Sequence, residues 1–155
     1  MTSAAAMMER TVPVRGWDQP GPAPARWPLY AALPVLGALL TAPSCGRAWT
    51  RVVLSEWDLS DLADTCELLV SELLTNAVLA SRRRSGAAVH LSLASDRVRL
   101  LIMVRDFEEG TPSPRQAGGG DEDGRGLMLV DSLSSRYGWS PAADGGAGKV
   151  VWAIL

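Results

Sequence analysis

The stretch VSELLTNAVLAS, Val70–Ser81, places a carboxylate and an amide inside an otherwise apolar helical pattern. Apolar residues recur there at intervals of three or four, and Asp58 and Ser60 offer capping oxygens upstream, so a long helix is predicted. An α-helix brings positions i and i+4 to one face, so Glu72 and Asn76 should point the same way. These two side chains either share a ligand, pair with each other or face water.

Length, charge and cysteine content indicate one domain without a nucleic-acid surface. The chain has 155 residues, which suits a single domain with a buried core. Its formal net charge of -2 is not a basic excess, so direct nucleic-acid binding is not expected. Cys45 and Cys66 lie far apart and are accompanied by one histidine, His90, so neither a zinc site nor a disulfide framework is predicted. We therefore expect reduced cysteines and a cytoplasmic protein.

An uncharged segment, Trp27–Gly46, has the length of a membrane span. Prolines and glycines divide it into short pieces, which favours elements of a globular domain, so no membrane association is expected. A membrane-tethered accessory protein is the weaker alternative. The residues before this segment contain acidic side chains and lack a continuous apolar centre, so no signal peptide is predicted either.

The remaining pattern predicts a tail at residues 1–30, flexible because it is rich in proline and alanine, and one domain at residues 31–155. Within the domain, helices and strands are expected in the following order besides the long helix. They are a strand at Leu33–Thr41, a helix at Pro43–Glu56, a hairpin of Val89–Leu93 and Val98–Val104, a glycine-rich loop at Phe107–Asp123, a helix at Gly124–Tyr137 closed by Gly138, and strands at Trp139 and Lys149–Leu155.

Four short motifs in this order resemble a known family. They are SELLTNAV, VRD, GRGLMLVDSL and GKVVWAIL, and the likeness covers residues 33–155. The chain resembles the ATP-binding fold shared by gyrase, histidine kinases, mismatch-repair ATPases and the large heat-shock chaperones. It is more similar to the small anti-sigma-factor serine/threonine kinases and their actinobacterial relatives.

The resemblance implies an α/β two-layer sandwich of the histidine kinase-like ATPase type. A mixed, mainly antiparallel sheet would be covered on one face by helices, and ATP would bind beneath a glycine-rich lid formed by Phe107–Asp123. The cofactors that it implies are ATP and Mg²⁺.

The resemblance also implies a role for each motif residue. Asn76 would hold Mg²⁺ beside the phosphates, and Glu72 would accept the proton of an attacking serine hydroxyl or orient a water. Asp106 would accept a hydrogen bond from the exocyclic amine of adenine, where guanine presents a carbonyl. Backbone N–H groups in the lid and at a helix start would face the phosphates. The residues concerned are Gly110, Gly124, Arg125, Gly126 and Leu127.

The implied function is an ATP-dependent protein serine/threonine kinase that acts as an anti-sigma factor. Its substrate would be an anti-sigma factor antagonist of the STAS type, and it would also sequester a sigma factor; a homodimer is an assembly that the resemblance allows. The alternative is a noncatalytic, ATP-responsive module that sequesters a regulatory partner.

Two departures from the family pattern favour the alternative. Phe107, Glu108 and Glu109 replace the glycines that follow the adenine-binding aspartate, and Gly110 is the first glycine. Val150 stands where relatives often have a threonine whose hydroxyl would help to bind adenine. We therefore expect altered lid geometry and weak nucleotide affinity.

Overall fold

The structure is a computed structural model, and it describes residues 27–81, 86–108, 125–142 and 147–155. Within these ranges five strands form one sheet in the order β1-β2-β3-β5-β4, and every neighbouring pair is antiparallel. Three α-helices pack on one face of that sheet, and a 3₁₀ helix at Ser60–Leu62 joins the first two. The elements are β1 (Leu29–Gly37), α1 (Ala42–Glu56), α2 (Ala63–Ser81), β2 (Ala88–Ser95), β3 (Leu100–Asp106), α3 (Arg125–Leu133), β4 (Arg136–Pro141) and β5 (Lys149–Ile154). This architecture confirms the predicted fold class.

Strand β3 is apolar on both of its faces, which explains why it is almost wholly buried. Leu100, Ile102 and Val104 join the core beneath the helices. Leu101 and Met103 alternate with them and point to the opposite face, as the two-residue repeat of a strand requires. A strand that is buried on both faces has a continuous apolar sequence. Asp106, at the polar end of β3, therefore lies in surroundings of low dielectric constant.

The helix layer is built around α2, which packs against α1, α3, β2 and β3. Gly46 allows α1 to approach α2 closely, because a Cβ atom at this position would lie 2.2 Å from Leu74 Cδ1 and 3.2 Å from Val70 Cγ1. At the solvent edge, Arg51 contacts Glu67 at 2.6 Å and Arg47 donates to a serine hydroxyl of α2. Exposed polar contacts of this kind contribute little, so apolar burial sets the helix pairing.

The opposite face of the sheet carries a second apolar cluster, formed by residues that are all buried. Trp152 of β5 lies against Gly138 of β4, where a Cβ atom would come within 2.6 Å of the indole ring. Trp27, which is half-buried, packs against this cluster from outside. The other members are Ala94, Leu101, Met103, Val150 and Ile154. Gly138 is therefore a strand glycine that makes room for a ring, and its predicted role at a helix end is wrong.

Several predicted boundaries shift because strand pairing overrides local pattern. Strand β1 occupies Leu29–Gly37, so it begins inside the predicted tail and ends before Thr41. Helix α3 ends at Leu133, since Arg136–Pro141 pairs with β5 as strand β4. Val98 is 84% exposed in the turn between β2 and β3, outside both strands. Residues 1–26 lie outside the described ranges, so the flexible tail stays a prediction.

The uncharged segment Trp27–Gly46 forms β1, the following turn and the start of α1. None of the helices in the described ranges combines the length and the apolar character that crossing a membrane requires.

Replacing Gly46 with valine should lower the free energy of unfolding by about 1–3 kcal/mol, because the added atoms overpack the contact with Leu74. Ala48→Val, on the exposed side of the same helix, is the matched control and should cost no more than about 0.7 kcal/mol. Urea unfolding measures both variants. Equal losses would contradict the close approach of α1 and α2.

Candidate functional site

Glu72 and Asn76 lie on one edge of α2, and both are available to a ligand. Asn76 is exposed and Glu72 is half-buried. Within the described part of the chain, neither side chain makes a hydrogen bond or an ion pair. The possibility that they pair with each other is therefore wrong, and both polar groups are without a partner among the described residues.

The surroundings of this edge follow from the geometry of the helix. The side of α2 that faces α1 is marked by Glu67 and Ser71, which contact arginines of that helix. Each residue advances about 100° around an α-helix, so Glu72 and Asn76 lie progressively further from α1. This edge is therefore not covered by α1. Helix α2 also packs against β3 and α3, which carry the other predicted site residues.

Asp106 ends β3 and is bound by a residue that the sequence did not single out. Lys149 Nζ lies 3.0 Å from Asp106 Oδ1 and 2.9 Å from Oδ2. Asp106 is 2% exposed and Lys149 is 6% exposed, so this ion pair is buried. The backbone N–H of Glu108 donates to Oδ1 at 3.1 Å. The carboxylate that would meet adenine is thus already held by two donors.

Burial raises the pKa of the Asp106 carboxyl above its usual value, because a buried carboxylate loses its hydration. The hydrogen bond and positive charge of Lys149 act in the opposite direction, as does the N–H of Glu108. The protonation state of Asp106 therefore depends on its neighbour on β5.

The backbone at Gly148 allows this pair to form. Gly148 has φ +99°, and a Cβ atom there would lie 2.0 Å from the carbonyl oxygen of Asp106. The residue that follows, Lys149, stands directly opposite Asp106 in the antiparallel register of β3 and β5. A glycine before this lysine is the sequence signal for the close approach, but it does not reveal which strand lies opposite.

Val150 lies on the face of the sheet away from the helices. Its side chain is 2% exposed and packs in the cluster that contains Trp152 and Met103. Side chains alternate along a strand, so a residue at this position cannot face the same side as Lys149 and Asp106. The expectation that Val150 removes a polar group from the adenine site is therefore wrong, and Lys149 is the β5 residue beside Asp106.

Phe107, which replaces a family glycine, packs against its neighbours in the sheet. Its ring lies edge-on to His90 with 5.1 Å between centroids, and the Arg105 guanidinium lies 4.5 Å from its centroid. Burial and the charge of Arg105 lower the pKa of His90. These contacts anchor the first residue after Asp106. Glu109 and Gly110 lie outside the described residues, so the predicted lid stays a prediction.

The GRGL motif supplies the first turn of a helix, as predicted. Helix α3 begins at Arg125 and continues through Gly126 and Leu127, and Val130 anchors it in the core beside α2. The first N–H groups of an α-helix have no partner within the helix and favour anions. Gly124 lies outside the described residues.

The sequence of this chain matches a known family of domains. Residues 41–155 match the family described as "Histidine kinase-like ATPase domain". The match spans most of the chain, which therefore belongs to this family. Its predicted likeness to the narrower actinobacterial kinase group stays a prediction. Among curated proteins, none matches the chain.

One solved structure with a similar fold comes from Mycobacterium tuberculosis and contains the RsbU and RsbW domains of Rv1364c. The TM-score is 0.51 at 19% sequence identity, over 87% of this chain and 33% of that chain. At this identity the likeness supports the fold alone. The present chain spans about a third of the solved one.

The donor set near α2 fits the cofactors that the family implies. The described residues contain no cluster of three or more histidine, cysteine, aspartate or glutamate side chains that could enclose a metal ion. Mg²⁺ bound to a nucleotide needs only one or two protein oxygens besides phosphates and water. The exposed amide of Asn76 can supply one such oxygen, so a metal shared with ATP fits, whereas the described residues form no all-protein cage.

Substituting Gly148 tests the link between backbone and ion pair. Gly148→Ala should destabilise the protein by more than Gly86→Ala, because both residues have positive φ but a Cβ at position 86 meets no atom within 4 Å. The left-handed conformation alone costs about 1–2 kcal/mol. Denaturant unfolding of both variants measures the difference. Equal costs would contradict the close approach of Gly148 to Asp106.

Proposed function

We propose that this protein is an ATP-binding regulatory protein with serine/threonine kinase activity toward an anti-sigma factor antagonist. The observation that carries the proposal is the pair Glu72 and Asn76. Both side chains lie without described partners on one edge of α2 in a histidine kinase-like ATPase domain. A shared ligand would explain why an acid and an amide lie one helical turn apart on the same edge of this helix.

ATP would bind between the edge of α2, the end of β3 and the start of α3. Asn76 would hold Mg²⁺, which neutralises phosphate charge and orients the transferred group. The backbone N–H groups at Arg125, Gly126 and Leu127 would face the phosphates, with Gly110 and Gly124 contributing from the adjoining loop. Asp106 would accept a hydrogen bond from adenine.

Glu72 would act one helical turn before Asn76, close to the transferred phosphate. Its carboxylate would accept the proton of the serine hydroxyl as that oxygen attacks phosphorus. Half-burial suits such a base, because it limits competition from bulk water while leaving the side chain reachable by a partner protein.

The partner assignment rests on the motifs that resemble anti-sigma-factor kinases. The substrate would be a STAS-type antagonist, with a sigma factor as a second, sequestered partner. A solved structure that contains an RsbW domain shares the fold, and the assignment of a partner rests on the motifs. The protein would act in the cytoplasm without contacting nucleic acid or membrane directly, and it would be able to form a homodimer.

The buried state of Asp106 favours a second candidate, a noncatalytic module that holds a regulatory partner in a nucleotide-dependent way. Lys149 already binds both oxygens of the carboxylate, and the pair is almost inaccessible. If free energy is needed to expose this carboxylate to adenine, the protein would bind ATP with low affinity. Phosphotransfer to serine separates the two candidates, because only the kinase performs it.

Addition of ATP and Mg²⁺ should raise the melting temperature, since a ligand that binds only the folded state stabilises it. Asn76→Ala should abolish the part of this shift that requires Mg²⁺. Thr75→Ala is the matched control, because Thr75 is exposed on the same turn and its hydroxyl donates to a backbone carbonyl of α2. Differential scanning calorimetry measures all three proteins. A wild-type melting temperature unchanged at millimolar ATP would refute the nucleotide assignment.

Glu72→Gln should lower phosphotransfer by roughly 10²–10⁴-fold while ATP binding persists, because the amide keeps the size but cannot accept the proton. The assay uses radiolabelled ATP, Mg²⁺ and purified STAS-type proteins encoded in the same genome. Thr75→Ala again serves as the control and should retain activity. An unchanged rate in Glu72→Gln would remove Glu72 from the reaction, and a wild-type protein that binds ATP but labels no partner would favour the noncatalytic module.

A further inference from the structure

We propose that Lys149 is a positioning residue for base recognition: it keeps the Asp106 side chain a hydrogen-bond acceptor and leaves one acceptor position on Oδ2 for the exocyclic amine of adenine. The inference rests on the proposed ATP site and adds a residue to it. Its support comes from acceptor geometry, burial, the backbone at Gly148 and the use of lysine in this chain.

The contacts of Asp106 leave one acceptor position of its carboxylate unfilled. An ionised carboxylate has about four acceptor positions over its two oxygens. Among the described residues, Oδ1 accepts from Lys149 Nζ and from the N–H of Glu108, whereas Oδ2 contacts Lys149 Nζ alone. One position on Oδ2 therefore remains, and an exocyclic amine is the kind of group that can fill it.

The protonation state decides whether that position serves adenine. A protonated carboxyl turns one oxygen into a donor and leaves the other a weaker, uncharged acceptor, so it binds the N–H of an amine less well than the carboxylate does. Burial favours this neutral form and raises the pKa of Asp106, while the ammonium of Lys149 favours the carboxylate. Among the described residues, the other charge that acts on Asp106 is the carboxylate of Glu108, which also favours the neutral form. Lys149 is thus the group that maintains the acceptor.

The backbone aligns the lysine with the aspartate. Gly148 brings β5 so close to Asp106 that a side chain at 148 would overlap its carbonyl oxygen. Lys149 then stands directly opposite Asp106, while Val150 turns to the other face. The pairing is consequently built into the register of β3 and β5 and does not depend on a mobile surface contact.

The choice of residue is also specific. Lys149 is the single lysine of the chain, and the other 14 of its 15 basic residues are arginines. A compact ammonium concentrates its charge and can reach both oxygens of one carboxylate within a small buried space, whereas guanidinium needs a planar fork. The chain therefore uses lysine at the one basic position that is buried among the described residues.

Adenosine binding as a function of pH tests the proposal, because adenosine lacks phosphates and reports on the base end alone. Titration calorimetry from pH 6 to pH 9 should give a nearly constant affinity for the wild type. Lys149→Met, which keeps the length but removes the charge, should bind at least about tenfold more weakly at pH 6–7. As the pH rises and Asp106 ionises, the affinity of Lys149→Met for adenosine should increase by up to about tenfold per pH unit. Lys149→Arg should restore binding at neutral pH in part.

Two results would overturn the proposal. One is adenosine binding by Lys149→Met as tight as that of the wild type at pH 6–7, which would mean that the lysine competes with the base or only supports the fold. The other is an unchanged carboxyl pKa of Asp106 in Lys149→Met, measured by ¹³C NMR. That titration needs no nucleotide, so it decides the role of Lys149 even if the wild type binds neither adenosine nor ATP and the proposed function fails.

Lysine-selective NMR on the wild type covers the case in which Lys149→Met does not fold. Because the chain has one lysine, ¹³Cε labelling gives one signal, which reports directly on the ion pair. Saturating adenosine should shift this signal slightly while the ammonium remains bound. Movement to the position of a free lysine would show that the base displaces Lys149 and would refute the proposal.

Discussion

Apolar packing on most sides of α2 is the constraint on which the rest of the structure depends. The helix contacts α1, α3 and two strands, and the close approach at Gly46 brings α1 against Val70 and Leu74. Apart from Ser81, which is buried at its end, the polar side chains of α2 are thereby confined to its solvent side and its edges. The edge that carries Glu72 and Asn76 is the one that arginines of α1 do not engage, so packing alone leaves these two groups available for chemistry.

A second constraint acts at the far end of β3. Removing two charges from water costs free energy, and a buried ion pair recovers it only when the geometry is good and the remaining acceptors are satisfied. Asp106 and Lys149 meet the condition on geometry through a directly opposed register and a glycine that lets the backbones approach, and one acceptor position on Oδ2 is left for a ligand. The pair links fold and function, because the same contact that stabilises the end of the strands also sets the state of the carboxylate that adenine would meet.

Local periodicity predicted α2, the strand that ends at Asp106 and the helix that starts at Arg125, since each is specified by residues close together in the chain. The contact of Lys149 with Asp106 was not predicted, because the two residues are 43 positions apart and their contact depends on the order of strands in the sheet. The wrong prediction for Val150 has the same cause, because the pairing of β5 with β3 decides on which face of the sheet its side chain lies. It also explains the overlong helix, because Tyr137 fits a helical repeat but its backbone pairs with β5.

A crystal structure of the protein with a non-hydrolysable ATP analogue and Mg²⁺ tests the central claim most directly. The account predicts the adenine amine within about 3.2 Å of Asp106 Oδ2, with Lys149 still bound to the carboxylate. It also predicts the metal on the amide oxygen of Asn76, with Glu72 beside the terminal phosphate. A nucleotide bound elsewhere, or a metal that Asn76 does not contact, would contradict it.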